Sequence, residues 1–98
     1  MYKILIVEDD PVIASSLARQ LTRWNYEATY VQEFDHIMQE FEKAQPDLVL
    51  MDITLPYFSG YYWCAEIRKI SRVPIVFLSS AADEMNQVMA LSLSLIHI

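Results

Sequence analysis

At 98 residues, with 54% hydrophobic side chains, the chain has the material for one compact domain with a substantial core and none for a second. A formal charge of -6 opposes direct contact with nucleic acid, whose phosphates attract Lys and Arg and repel carboxylates. The single cysteine, Cys64, excludes an internal disulfide, and His36 and His97 show no zinc-type spacing, which fits a reducing cytoplasm.

The first element is Lys3 to Val7, an apolar run of the kind buried on both faces of a sheet. It is too short for a signal peptide and is followed by three acids, and no segment approaches the ~20 apolar residues of a membrane span. Asp10 and Pro11 form a helix-start signal, and Ile13, Leu17, Leu21 and Trp24 follow at helical spacing. Glu27 to Val31 reads as a second strand. Phe34 to Ala44 reads as a helix presenting Ile37, Met38 and Phe41, with Pro46 stopping it.

Leu48 to Met51 is another buried run and ends at Asp52. A loop with Pro56 and the only glycine, Gly60, leads to a helix carrying Trp63, Ile67 and Ile70, and Pro74 to Leu78 is the fourth buried strand. Ser79, Ser80 and Asp83 offer turn and cap chemistry before a last helix with Met85, Val88 and Met89. Apolar strands alternating with helices imply a parallel sheet covered on both faces.

In such a sheet, ligands bind beyond the carboxyl ends of the strands. Glu8 and Asp9 follow the first strand, Asp52 closes the third and Ser79 follows the fourth, so three carboxylates and one hydroxyl are expected at one edge. Crowded carboxylates raise one another's pKa unless a cation offsets them, and magnesium is a hard cation suited to this set together with phosphate oxygens. A carboxylate attacking an anionic phosphoryl group needs such an ion to neutralise charge, and Ser79 would donate a hydrogen bond to the transferred group. Asp10 reads as a helix cap, and Trp63, Met85, Met89 and Cys64 as packing residues. His36 and His97 read as ordinary residues with nothing paired to them. Tyr57, Tyr61 and Tyr62 read either as a partner-docking patch around the loop or as ordinary exposed loop tyrosines.

Three stretches, Ile4 to Asp10 (ILIVEDD), Met51 to Gly60 (MDITLPYFSG) and Pro74 to Ser80 (PIVFLSS), together resemble the signature stretches of receiver domains of bacterial two-component response regulators. The resemblance covers residues 1–91. It implies an α/β, three-layer, flavodoxin-like fold with a parallel sheet of order 2-1-3-4. It also implies that Asp52 accepts a phosphoryl group from a sensor histidine kinase, that Glu8 and Asp9 position Mg2+ with Asp52, and that Thr54 adds its backbone carbonyl. Ser79 matches the hydroxyl that contacts the phosphoryl group and senses it, and Pro56 and Gly60 match turn residues over the site. Such a domain regulates an output, here transcription, and is no enzyme beyond self-catalysed phosphoryl transfer and autodephosphorylation. The segment around the loop and Tyr61 to Ser80 looks most like winged-helix, OmpR-type DNA-binding regulators, among them those serving peptide-antibiotic sensing and transport.

The sequence departs from that pattern at its end. The family continues with a fifth strand ending in a lysine and a fifth helix, whereas only Lys3, Lys43 and Lys69 occur here, and 92–98 (SLSLIHI) alternates apolar and polar residues as an atypical tail. The expectation is an incomplete receiver, prone to self-association through an exposed strand edge. Other functional classes fit less well. A degenerate receiver acting only as an interaction module is favoured by the missing lysine but would not need intact Asp52, Glu8 and Asp9. An aspartate-nucleophile phosphatase would want an acid where Thr54 stands, and a flavin or nucleotide binder would want a glycine- or hydroxyl-rich loop where Glu8 and Asp9 stand.

Overall fold

The computed structural model describes residues 1–78. Ser79, the segment around Met85 to Met89 and the 92–98 tail lie outside the described residues. The elements are β1 (Lys3–Val7), α1 (Pro11–Arg23), β2 (Glu27–Tyr30), α2 (Ile37–Ala44), β3 (Leu48–Asp52), α3 (Gly60–Arg68) and β4 (Ile75–Leu78). The four strands form one parallel sheet in the order β2-β1-β3-β4, as the resemblance implied.

Strand side chains alternate between the two faces, and both faces are covered. Leu5, Val7, Val49, Met51 and Ile75 point to the side where Ile37 and Phe41 of α2 and Trp63, Cys64 and Ile67 of α3 pack. Ile4 and Ile6 point the other way, against Ala14, with Leu17, Ala18 and Leu21 of α1 closing over them. That is why β1 reads as an uninterrupted apolar run. Full burial of a side chain such as Ile6 or Met51 is worth about 1.5–3 kcal/mol, so these central positions carry much of the stability.

The Asp10 carboxylate accepts from the backbone N–H of Val12 at 2.9 Å and of Ile13 at 3.3 Å, capping α1 as its sequence announces, with Pro11 opening the helix. The stripe it buries is narrower than the spacing suggests. Ile13 is 46% exposed, one residue off the line of Ala14, Leu17 and Leu21, and Trp24 is 61% exposed because it caps the helix instead of extending it. Asn25 then turns the chain at φ 69°.

The second helix begins at Ile37, three residues later than expected. Phe34 belongs to a turn that the Glu40 carboxylate holds by accepting the backbone N–H groups of Gln32 and Glu33. α2 ends on Gln45 in the left-handed region at φ 49°, with Pro46 after it. α3 ends at Arg68, so Ile70 falls beyond it and is mostly exposed. In β4 only Ile75 is fully buried, while Val76, Phe77 and Leu78 are half-buried, because β4 is the last strand on that side among the described residues. β2, at the other edge, exposes Glu27, Thr29 and Tyr30.

Candidate functional site

The parallel register brings Val7 beside Met51 and Asp52 beside Leu78, so the residues that follow β1 and close β3 meet at the carboxyl edge of the sheet. Glu8, Asp9 and Asp52 each offer an oxygen there, all within 4.8 Å of one another. The three differ in exposure: Glu8 is only 8% exposed, Asp52 is half-buried and Asp9 is open to solvent.

Burial pushes the Glu8 carboxyl up to about 7, and hydrogen bonding to Asp52, the charge of Asp52 and a hydrogen bond with Asp9 push the same way. The backbone N–H of Asp10, donating to Glu8 Oε2 at 3.4 Å, opposes the rise. Asp52 Oδ1 accepts from the backbone N–H of Thr54 at 3.3 Å, which fixes Thr54 next to the acid. Among the described residues the salt bridges are His36–Asp35 and Lys69–Glu66, so no lysine or arginine pairs with the three acids. An acid whose carboxyl is pushed up by burial first and by its acidic neighbours second marks a site short of positive charge. Hard oxygen donors so placed fit a magnesium ion.

The loop after β3 turns sharply. Phe58 N–H donates to the Pro56 carbonyl at 2.9 Å across Tyr57, whose φ of 70° is a strained value for a side chain of that size. Ser59 caps α3 by accepting from Tyr62 N–H at 3.4 Å, and Gly60 N–H donates to the Ile53 carbonyl at 2.8 Å, which draws the helix start against the end of β3. Of the three loop tyrosines, Tyr57 and Tyr62 are exposed, while Tyr61 packs against Phe77 with ring centroids 5.2 Å apart. Phe58 was not foreseen in this patch. It stacks on Tyr62 at 4.2 Å and meets Trp63 edge-on at 5.9 Å, and its only signal in the sequence was an apolar ring inside a turn.

A second group was also missed. Glu33, Asp35 and His36 bring ligand atoms within 4.8 Å of one another, all exposed, and His36 Nδ1 lies 2.9 Å from Asp35 Oδ1, so His36 does have a partner. Cys64 is a buried thiol whose ionisation burial pushes up, as its reading as a packing residue implies. No described helix is long and apolar enough to cross a membrane.

The sequence model of the response regulator receiver domain matches residues 4–97. The uncharacterized transcriptional regulatory protein YvcP of Bacillus subtilis is 52% identical over 91 residues, covering 93% of this chain and 38% of that protein. The response regulator protein GraR of Staphylococcus epidermidis is 42% identical over 91 residues, covering 93% of this chain and 41% of that protein. This chain therefore spans about two fifths of the length of these relatives. Among solved structures, the N-terminal domain of the nisin resistance regulator NsrR, a lantibiotic response regulator, superposes with a TM-score of 0.87 at 51% identity, over 96% of this chain and 80% of that one. Family model, sequence identity and sheet order agree, and the chain belongs to the receiver domain family of two-component response regulators.

Proposed function

We propose that this domain is a phosphoacceptor, taking a phosphoryl group from a sensor histidine kinase onto the carboxylate of Asp52. The observation that carries the reading is the meeting of buried Glu8 with Asp9 and Asp52 at the end of β3, with Glu8 raised to about 7 by burial and its acidic neighbours. A carboxylate oxygen of Asp52 bonds to phosphorus as the bond from phosphorus to the kinase's histidine nitrogen breaks, giving an acyl phosphate and a neutral imidazole.

Glu8, Asp9 and Asp52, with the backbone carbonyl of Thr54, are the groups that would hold Mg2+. When bound, that ion supplies the positive charge that lets an anionic phosphoryl group approach three acids. Thr54 N–H restrains one Asp52 oxygen, which limits the carboxylate's rotation and keeps it oriented for attack. Ser79 contributes the hydroxyl that donates to the transferred group and responds to it. The modified domain then acts on a transcriptional output, in keeping with the relative that carries the name transcriptional regulatory protein. We place this chemistry in the cytoplasm, with the partners a sensor histidine kinase and a second copy of the domain, and neither DNA nor membrane contacted by the domain itself.

The test is mass spectrometry of the chain after incubation with acetyl phosphate, with and without Mg2+, alongside Asp52→Ala. The expected result is a magnesium-dependent phosphate adduct that the variant lacks. A folded chain that takes no phosphate, or an adduct that survives in the variant, overturns the assignment.

A further inference from the structure

The acceptor's backbone is touched by one residue that has no chemistry of its own. Gly60 opens α3 and is buried, and an ideal Cβ built on it would stand 2.1 Å from the carbonyl oxygen of Asp52 and 3.0 Å from both the Asp52 carbonyl carbon and Met51 Cγ. Carbon atoms in contact normally rest about 3.5–4.0 Å apart, so even an alanine would force the helix start and the end of β3 apart by about an ångström. No glycine of the described residues has a positive φ, so the position demands space and not an unusual backbone angle.

Neither side has room to give. Behind Gly60, α3 is anchored by Trp63, Cys64 and Ile67, which share one buried cluster with Met51 and Val49 of β3. Retreat of the helix would open that cluster, and rotation of the peptide after Asp52 would disturb both the Ile53 carbonyl that accepts from Gly60 N–H and the Thr54 N–H that holds Asp52 Oδ1. The missing side chain thus lets α3 clamp the last peptide of β3 from below.

We propose that Gly60 is a positioning residue for the acceptor, setting where Asp52 presents its carboxylate through close contact with its backbone carbonyl. The inference rests on the phosphoacceptor reading and extends it to a residue outside the acidic cluster. Displacing a reacting group by about an ångström can cost on the order of a hundredfold in rate.

The experiment compares the full chain with Gly60→Ala, Ser59→Ala and Leu21→Ala, using acetyl phosphate for the rate and a Mg2+ titration followed at the Thr54 amide resonance. In Gly60→Ala the maximal phosphorylation rate is expected to fall by about tenfold or more, with half-saturation in Mg2+ moved upward, under conditions where circular dichroism shows it folded. Ser59→Ala removes the cap that secures the first turn of α3 without adding bulk, and is expected to move both quantities the same way by about two- to threefold. Leu21→Ala weakens the core on the opposite face of the sheet, away from α3, and is expected to lower the melting temperature with rate and Mg2+ half-saturation unchanged.

A folded Gly60→Ala with unmodified rate and Mg2+ response overturns the proposal. If Gly60→Ala does not fold, the other two variants decide, and equal behaviour of Ser59→Ala and Leu21→Ala in rate and Mg2+ response overturns it. The two readings fail differently. The phosphoacceptor assignment fails when the unmodified chain takes no phosphate, whereas the positioning role fails when the unmodified chain and Gly60→Ala take it equally well.

Discussion

Among the described residues lie two groups of three potential ligands that are equivalent by distance alone: Glu8, Asp9 and Asp52 in one, Glu33, Asp35 and His36 in the other, each with its atoms within 4.8 Å. Their settings differ. The first is assembled from the ends of two neighbouring strands whose register is fixed by a buried sheet, and one member is itself buried. The second comes from a single four-residue turn, and all three of its members are in solvent. Water screens the charges of the second group, and its side chains are free to move apart, whereas the first is held together whatever the electrostatic cost. What separates a site from a coincidence here is enforced proximity, and enforcement is a property of the strands underneath.

The largest expected effect comes from that cost. Glu8 has an ordinary pKa of 4.5 and is raised to about 7 in the folded chain, so the native state binds its proton more tightly than the unfolded state does. The stabilisation this provides is complete below about pH 4.5 and is lost as pH rises through about 7. Between pH 5 and 8, metal-free protein is expected to lose on the order of 2 kcal/mol from this group, seen as a falling urea midpoint. Glu8→Gln should flatten the slope, and so should millimolar Mg2+. An equal slope in Glu8→Gln would mean that the strain is not concentrated at this carboxyl.

Much of this contrast was readable in the sequence, for a physical reason. Strands buried on both faces announce themselves as apolar runs, so Lys3–Val7 and Leu48–Asp52 are found where the runs lie, and the acids that follow them must fall on one edge of a parallel sheet. Asp10 before Pro11 marks the start of α1 because the cap is local. What escaped depends on contacts distant in sequence. The late start of α2 is set by Glu40 reaching back seven and eight residues, and the exposure of Ile13 and Ile70 by the line that α1 lays against the sheet and by where α3 ends. The pairing of His36 with Asp35 needed the turn that holds them. Gly60 was legible as a turn residue but not as a close approach, since nothing in the sequence says which backbone atom will lie 2.1 Å from its absent Cβ.

A second way to sharpen the comparison is cation affinity. Removing one charged donor from the strand-end group with Glu8→Gln is expected to raise the Mg2+ concentration for half-saturation by about tenfold, equivalent to about 1.4 kcal/mol. The matching change in the turn, Glu33→Gln, is expected to leave it unchanged. Isothermal titration calorimetry on the two variants reads the difference directly. A comparable loss in Glu33→Gln would show that the turn holds the ion too, and the distinction between enforced and accidental proximity would collapse.

The smallest effect concerns the turn itself. His36 and Asp35 approach to 2.9 Å, yet each side chain is 55% exposed, and His36 makes no side-chain cap to α2 although it occupies the capping position. An exposed ion pair of this kind is worth roughly 0–0.5 kcal/mol and less in salt. The turn is held instead by Glu40, whose carboxylate accepts the N–H groups of Gln32 and Glu33 at 2.7–3.2 Å. His36→Ala is therefore expected to shift the urea midpoint by less than the equivalent of about 0.5 kcal/mol, whereas Glu40→Ala, which strands two backbone donors, should cost about 1 kcal/mol. If His36→Ala proved the more damaging of the two, the turn would owe its shape to the pair at its tip, and the second group would have to be regarded as built in the same sense as the first.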